Sequence, residues 1–273
     1  PLGLHDEIGV HGTYSFEQTE GKAICIHCGQ CANVCPTASI TEVYEYPDVK
    51  AAIADPDKIV IVSTSPSVRV ALGEEFGMAK GSFVQGKMIA LMRALGADYV
   101  LDTNFAADLT IVEEATELLD RVKNGGTLPM ITSCSPGWIN YAEYNYGDLL
   151  EHLSSCKSPH QMQGAIIKSY YAKEKGIDPK DIFVVSIMPC TAKKDEKERK
   201  QLQHDGIKDV DAVLTVRELA DMIKRAGIRF NRLPDEDFDQ DLLGETSGAA
   251  VIFGVSGGVM EAALRTAYFV LEG

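Results

Sequence analysis

Residues 25–36 read CIHCGQCANVCP, placing Cys25, Cys28, Cys31 and Cys35 in the pattern C-x2-C-x2-C-x3-C-P. That spacing wraps three thiolates round one [4Fe–4S] cube, and soft thiolates suit iron–sulfur clusters. Structural zinc uses separated cysteine pairs instead. In two-cluster ferredoxins the fourth cysteine of such a run ligates the other cluster. Here Cys35 either joins a single cluster or serves one completed by an upstream motif or a partner chain. The chain has 7 cysteines. An odd count with four clustered argues for metal rather than a disulfide framework.

Three further loops carry reactive residue types. ITSCSPGW (131–138) sets the thiol of Cys134 beside the hydroxyl of Ser135, SPSVR (65–69) carries Ser67, and MPCTAKK (188–194) carries Cys190 and two lysines. In TIVEEATELLDRVKN (110–124), Glu114 and Glu117 are three apart and Glu117 and Arg121 four apart, so all three share one helix face. On residue types alone that face is a solvated acidic surface with an ion pair; a proton relay is the alternative. The glycines of GVSGGVME (254–261) lack the Lys-Ser/Thr of a phosphate loop. They read as room for close backbone approach to a cofactor. Cys156 reads as a packed small residue, Trp138 as a core anchor of its loop, and the histidines show no metal spacing.

Something must position these loops. Residues 1–24 read as an irregular lead-in and 47–58 as a helical linker. Beyond them, IVIVS (59–63), DYVLD (98–102), LPMITS (128–133), IFVVSIM (182–188), DAVLT (211–215) and AAVIFGV (249–255) read as strands, with amphipathic helices between. Unbroken Val/Ile runs fit strands buried on both faces. The alternation predicts an α/β fold with mostly parallel sheet, flanked by helices. Thr215 and Glu218 predict a capping box opening a helix that Gly227 closes. Ligands gather at the carboxyl ends of such strands, which would bring Ser67, Cys134 and Cys190 to one edge.

The 273 residues hold a sizeable core, and a hydrophobic content of 45% marks a globular chain. A net charge of −14 argues against nucleic acid and anionic membranes as partners. No apolar run is long enough for a membrane span. The absence of a signal peptide points to the cytoplasm; export with a partner subunit would place the chain in the periplasm.

Taken in order, the cysteine run, ITSCSPGW, IMPCTAKKDE and FGVSGGVMEAALR resemble the catalytic subunit of an [FeFe]-hydrogenase, from about residue 20 onward. The resemblance implies a ferredoxin-like [4Fe–4S] segment over 1–45 and an H-cluster domain over 46–273. The H-cluster it implies is a [4Fe–4S] cube joined by a cysteine to a di-iron unit with CO, cyanide and an amine-bearing dithiolate. By that resemblance Cys190 is a cube ligand and Cys134 the non-ligating thiol beside the bridge amine. Pro66, Ser67 and Lys193 meet the cyanides, and Met188 lines the di-iron pocket. Glu114, Glu117, Arg121 and Ser154 form the proton path. A thiol suits the last step, because its ordinary pKa lets it exchange protons near neutral pH.

Two departures stand out. The family reads Cys-Cys-Pro-Gly where this chain has Cys134-Ser135-Pro136-Gly137, so a serine occupies a cube-ligand position; it either ligates through oxygen or leaves the cube weakened or missing. The family's third cysteine motif is also not in this sequence, so a further chain or segment is expected to supply ligands. The implied function is reversible H2 oxidation and proton reduction, with electrons passing to ferredoxin or a redox subunit. The alternatives are a non-catalytic iron–sulfur or sensory relative and a plain electron-transfer module.

Overall fold

A computed structural model describes residues 25–272; the lead-in expected over 1–24 lies outside them. Four strands form one parallel sheet: β1 Ile59–Thr64, β2 Tyr99–Asp102, β3 Ile182–Met188 and β6 Ala212–Thr215, in the order β2-β1-β3-β6. A short antiparallel hairpin, β4 Gln203–His204 and β5 Ile207–Lys208, stands apart from it.

Alternation of side chains within unbroken apolar runs gives the sheet two buried faces. Val60, Val62, Val100, Val185, Ile187 and Leu214 belong to one core cluster, with helices on that side. Ile61, Leu101, Val184, Met188 and Val213 belong to the other. This is what continuous Val/Ile strands require.

The helices, in chain order, are α1 Gln30–Val34, α2 Tyr46–Ala54, α3 Val68–Ala71, α4 Gln85–Leu95, α5 Asn104–Asn124, α6 Pro136–Asn145 and α7 Pro159–Ile166, then α8 Ala192–Glu196, α9 Val216–Arg225 and α10 Gly258–Glu272. α7 continues through a π-helical stretch at Ile167–Tyr171 into Ala172–Lys175. Helix α5 ends at Gly125, whose φ of 80° supplies the left-handed turn that ends helices. The Thr215 hydroxyl accepts from the Glu218 N–H, as a capping box requires. The Glu218 carboxylate does not return the bond; it turns to the backbone of Glu45 and Tyr46.

Two expected strands are absent among the described residues. Residues 128–133 make only one bridge, Ile131 to Leu153. Pro129 has no N–H to give a ladder, and the run is too short to recover on its far side. Residues 249–255 fall in a 3-10 helix, Gly248–Gly254. There the Asp108 carboxylate accepts from the backbone of Ser247 and Ala250, and the Ser247 hydroxyl accepts from Ala249. Those bonds wind the backbone into a turn, and Val251 and Val255 stay exposed.

The chain leaves β1 for β2 on one side and returns to β3 on the other. Adjacent β1 and β3 therefore part at their carboxyl ends, which is the topological switch point where open α/β sheets bind ligands.

Candidate active site

At that switch point lies a cavity of about 260 Å³, its walls mostly apolar. The loop after β1 brings Pro66 and Ser67, the end of β3 brings Met188, Pro189 and Cys190, and α8 brings Lys193. Cys134 enters from the irregular stretch before α6, where a strand was expected. The convergence of Ser67, Cys134 and Cys190 therefore holds, delivered by two strands and one loop.

The Lys193 ammonium is buried in the wall. It donates to the Cys134 carbonyl at 2.8 Å and to Glu196 Oε2 at 2.8 Å. Glu196 also meets His160 Nε2 at 2.5 Å, and His160 Nδ1 faces the Ser186 hydroxyl at 3.1 Å. Burial alone would raise the Glu196 pKa; Lys193 and His160 outweigh it and hold it at about 2. Burial, reinforced by Lys193, lowers His160. Burial also raises the Cys134 thiol, against the pull of Lys193.

Behind Cys134 stands α5. Its buried face, Ala107, Thr110, Ile111 and Glu114, turns Glu114 inward, where it is 1% exposed. Among the described residues neither oxygen of Glu114 has a hydrogen-bond partner of normal geometry. Burial and the neighbouring Glu117 raise it to about 7, tempered by the Ser133 backbone and the Ser154 hydroxyl.

Glu117 is the opposite case. It receives the Ser154 hydroxyl at 2.8 Å, the Ser155 N–H at 3.0 Å and the Arg121 guanidinium at 2.6 Å. Burial would raise Glu117, but these donors leave it lowered. Arg121 is itself held by the carbonyls of Thr127 and Leu153. The shared helix face is thus no solvated surface, although its ion pair is real.

Cys156 is more than a packed small residue: its thiol lies 3.7 Å from Glu117 Oε2, and burial raises its pKa to about 11. Trp138 is half-buried against Tyr141, outside the main core. Ser135 is exposed at the N-cap of α6 and makes no capping bond. It does not line the cavity. Sequence reasoning passed over Glu196 and His160. Glu196 had a legible signal, three residues after Lys193 on one helix; His160 had none.

The cysteine run packs against the same motif loops. The Thr191 hydroxyl donates to the His27 carbonyl at 2.6 Å, and a Cβ on Gly29 would come within 2.8 Å of Thr191 Oγ1. Gly29 has φ 77°, so glycine suits both its conformation and the approach. Cys28 and Cys31 lie close enough to raise the Cys25 thiol, after burial, by their charge. The Thr37 hydroxyl and nearby backbone lower Cys35 to about 7.

The donor chemistry at Cys25, Cys28 and Cys31 fits an iron–sulfur cluster. The cavity, with the thiols of Cys134 and Cys190, the Lys193 ammonium and mostly apolar walls, fits a compact polar cofactor carrying anionic ligands. The cube beside it is not fully provided for. Among the described residues no three His, Cys, Asp or Glu side chains converge as metal ligands, and Cys134 and Cys190 are the cysteines that line the cavity.

Residues 58–273 match the family described as iron only hydrogenase large subunit, C-terminal domain, and residues 22–41 match a 4Fe-4S binding domain. The chain belongs to the iron-only hydrogenase large-subunit family. It is 53% identical to the NADP-reducing hydrogenase subunit HndD of Solidesulfovibrio fructosivorans, over 95% of this chain and 45% of that one. It is 34% identical to the cytosolic Fe-S cluster assembly factor narfl of Xenopus tropicalis, over 89% of this chain and 54% of that one. Its fold matches a variant of the [FeFe]-hydrogenase HydA1 of Chlamydomonas reinhardtii with TM-score 0.75 and 43% identity, over 83% of this chain and 58% of that one. The chain thus spans about half the length of these relatives. Among the described residues no helix is long and apolar enough to cross a membrane.

Proposed function

We propose that this chain is the core of an enzyme that interconverts H2 with protons and electrons at an H-cluster. The observation that carries this reading is the cavity itself: a half-buried thiol, Cys134, faces it, and behind that thiol stands a buried carboxyl, Glu114, with no hydrogen-bond partner of normal geometry among the described residues. The H-cluster, when bound, supplies the hydride chemistry and the store of electrons. Everything else falls to side chains of the protein.

In this reading Pro66, Ser67, Met188 and Lys193 hold the di-iron part, with Lys193 offering its ammonium to anionic ligands. Cys190 would be a cube ligand, and Ser135 would stand in a second ligand position, either ligating through oxygen or leaving the cube weakened. Cys134 passes the proton between the cavity and Glu114. Glu114, with a pKa of about 7, takes and releases it near neutrality. From there Ser154, Glu117 and Arg121 lead toward the surface. Cys25, Cys28 and Cys31 would hold a [4Fe–4S] cluster, which would supply the path for electrons from a ferredoxin or a redox subunit. Cys35 and the remaining cube ligands look to segments outside the described residues. We assign the segment to 1–45 and the cofactor domain to 46–273.

The test is the protein matured with its cofactor machinery, read by infrared absorption in the CO and cyanide region and by H2 evolution from a reduced dye. Both signals are expected. Cys134→Ser should keep the infrared bands and lose at least about 100-fold in H2 evolution, the scale of a removed proton donor. Iron and sulfide without infrared bands would sink the reading. That outcome would favour a non-catalytic iron–sulfur relative, toward which Ser135 and the likeness to an assembly factor point. Ser135→Cys would then be expected to raise bound iron without creating activity.

A further inference from the structure

Helix α8, directly after Cys190, has two working faces, and the cavity uses only one. Lys193 faces the cavity, with Glu196 holding its ammonium. The neighbouring Lys194 is fully buried and reaches the other way. Its ammonium donates to Glu218 Oε2 at 2.5 Å and to the Val43 carbonyl at 2.7 Å. Glu218, also fully buried, accepts on its other oxygen from the backbone N–H groups of Glu45 and Tyr46, the latter at 2.9 Å. Around them, Glu45 accepts from the Val213 N–H at 2.7 Å, and its second oxygen lies 3.5 Å from the Lys197 ammonium. Glu42 accepts from the Thr215 hydroxyl at 3.0 Å.

All of these bonds grip one short stretch, residues 42–46, where the cysteine segment joins the α/β body. An apolar pair of the same size would fill the space but could neither receive the two N–H groups nor donate to the Val43 carbonyl. Closer to the cysteines the contacts are fewer: the Thr191 hydroxyl on the His27 carbonyl, His27 Nδ1 at 3.2 Å from Asp195 Oδ1, and Arg217 on Asn33 at 2.8 Å.

We propose that Lys194 and Glu218 are positioning residues for electron entry. They anchor residues 42–46 and thereby fix the Cys25–Cys35 segment against the Cys190 loop. Electron tunnelling falls off exponentially with distance, so a segment free to lift from that loop would transfer slowly even with both metal sites intact. The electron-transfer half of this proposal rests on the hydrogenase reading; the anchoring half does not.

The experiment compares wild type, Lys194→Met and Glu218→Gln in the matured protein. Amide hydrogen exchange reads the anchor. In Lys194→Met the amides of Glu45 and Tyr46 should exchange at least ten-fold faster, while those of β1 and β3 keep their protection. Two activities read the consequence. H2 evolution driven by a reduced two-cluster ferredoxin needs electrons through the cysteine segment and should fall at least ten-fold. Isotope exchange, D2 + H+ → HD + D+, moves no net electrons and should stay within two-fold. Glu218→Gln keeps the shape and one acceptor oxygen and should fall between, which also covers a Lys194→Met variant that does not fold. Unchanged protection at Glu45 and Tyr46 would overturn the anchor. An equal fall in both activities would overturn the electron-entry role. If wild type shows neither activity, the hydrogenase reading and the electron-entry role fail, and amide exchange still decides the anchor.

Discussion

Glu114 and Glu196 flank the same thiol, and both are buried, yet they are opposite kinds of carboxylate. Glu114 has no hydrogen-bond partner of normal geometry among the described residues, and its pKa rises to about 7. Glu196 lies 2.8 Å from the Lys193 ammonium and 2.5 Å from His160, and its pKa falls to about 2. Burial pushes both up; the cation beside one of them reverses the sign. A carboxyl poised near pH 7 can take and release protons during turnover. One held near 2 is a permanent anion, useless as a relay and suited to fixing a lysine.

The comparison can be broken most forcefully at Glu196. Glu196→Gln leaves a buried ammonium with the Cys134 carbonyl and a weak neutral partner. Breaking a buried pair of this kind costs about 3–5 kcal/mol. Chemical denaturation should show a loss of that size, with a fall in the midpoint and little change in slope. A loss below about 1 kcal/mol would mean that Lys193 is better solvated than its burial suggests.

Next comes Glu114→Gln, which removes the proton carrier while keeping the shape. H2 evolution should fall at least about 100-fold, as expected for loss of a general acid–base. Stability at neutral pH should not fall. A Glu114→Gln protein that is both active and less stable would reverse the assignment of the two carboxylates.

The pH dependence of stability sharpens the contrast further. The folded-state pKa of Glu114 is raised, so between the ordinary glutamate range and pH 7 the folded protein binds more protons than the unfolded one. Its stability contribution is present at low pH and is lost as pH rises through about 7. Wild type should therefore lose about 2 kcal/mol relative to Glu114→Gln between pH 5 and pH 8. Glu196 contributes with the opposite sign: its stabilisation is present above the ordinary glutamate range and disappears as pH falls toward about 2. Parallel stability curves for wild type and Glu114→Gln would refute the raised pKa.

The smallest effect is expected at Cys156, whose thiol touches Glu117 at 3.7 Å while stronger donors already hold that carboxylate. Cys156→Ala should change stability by less than about 0.5 kcal/mol and leave turnover within two-fold. A larger fall in turnover would place the thiol on the proton route.

Much of this architecture is readable from residue types. The Val/Ile runs of β1, β3 and β6 name their own strands because both faces of a central parallel strand are buried. The i, i+3, i+4 spacing of Glu114, Glu117 and Arg121 puts them on one helix face without any coordinates. Residues 128–133 and 249–255 misled because apolar content was read without its local competitors. Pro129 removes a ladder donor, and Asp108, remote in sequence, caps the turn at Ser247. Trp138 misled for a related reason: size suggests burial, but only the fold decides where space exists.

The sequence by itself determined the metal-binding cysteine run, the parallel α/β body, and which loops would meet at the end of the sheet. Those follow from spacing and periodicity, which are local. Only the tertiary structure decided that Glu114 is buried beside Glu117 with no cation against it among the described residues, that Glu196 is clamped between Lys193 and His160, and that Lys194 turns away to hold residues 42–46. A side chain's charge state and task depend on the dielectric and the partners that distant segments bring to it, and no local pattern carries that information.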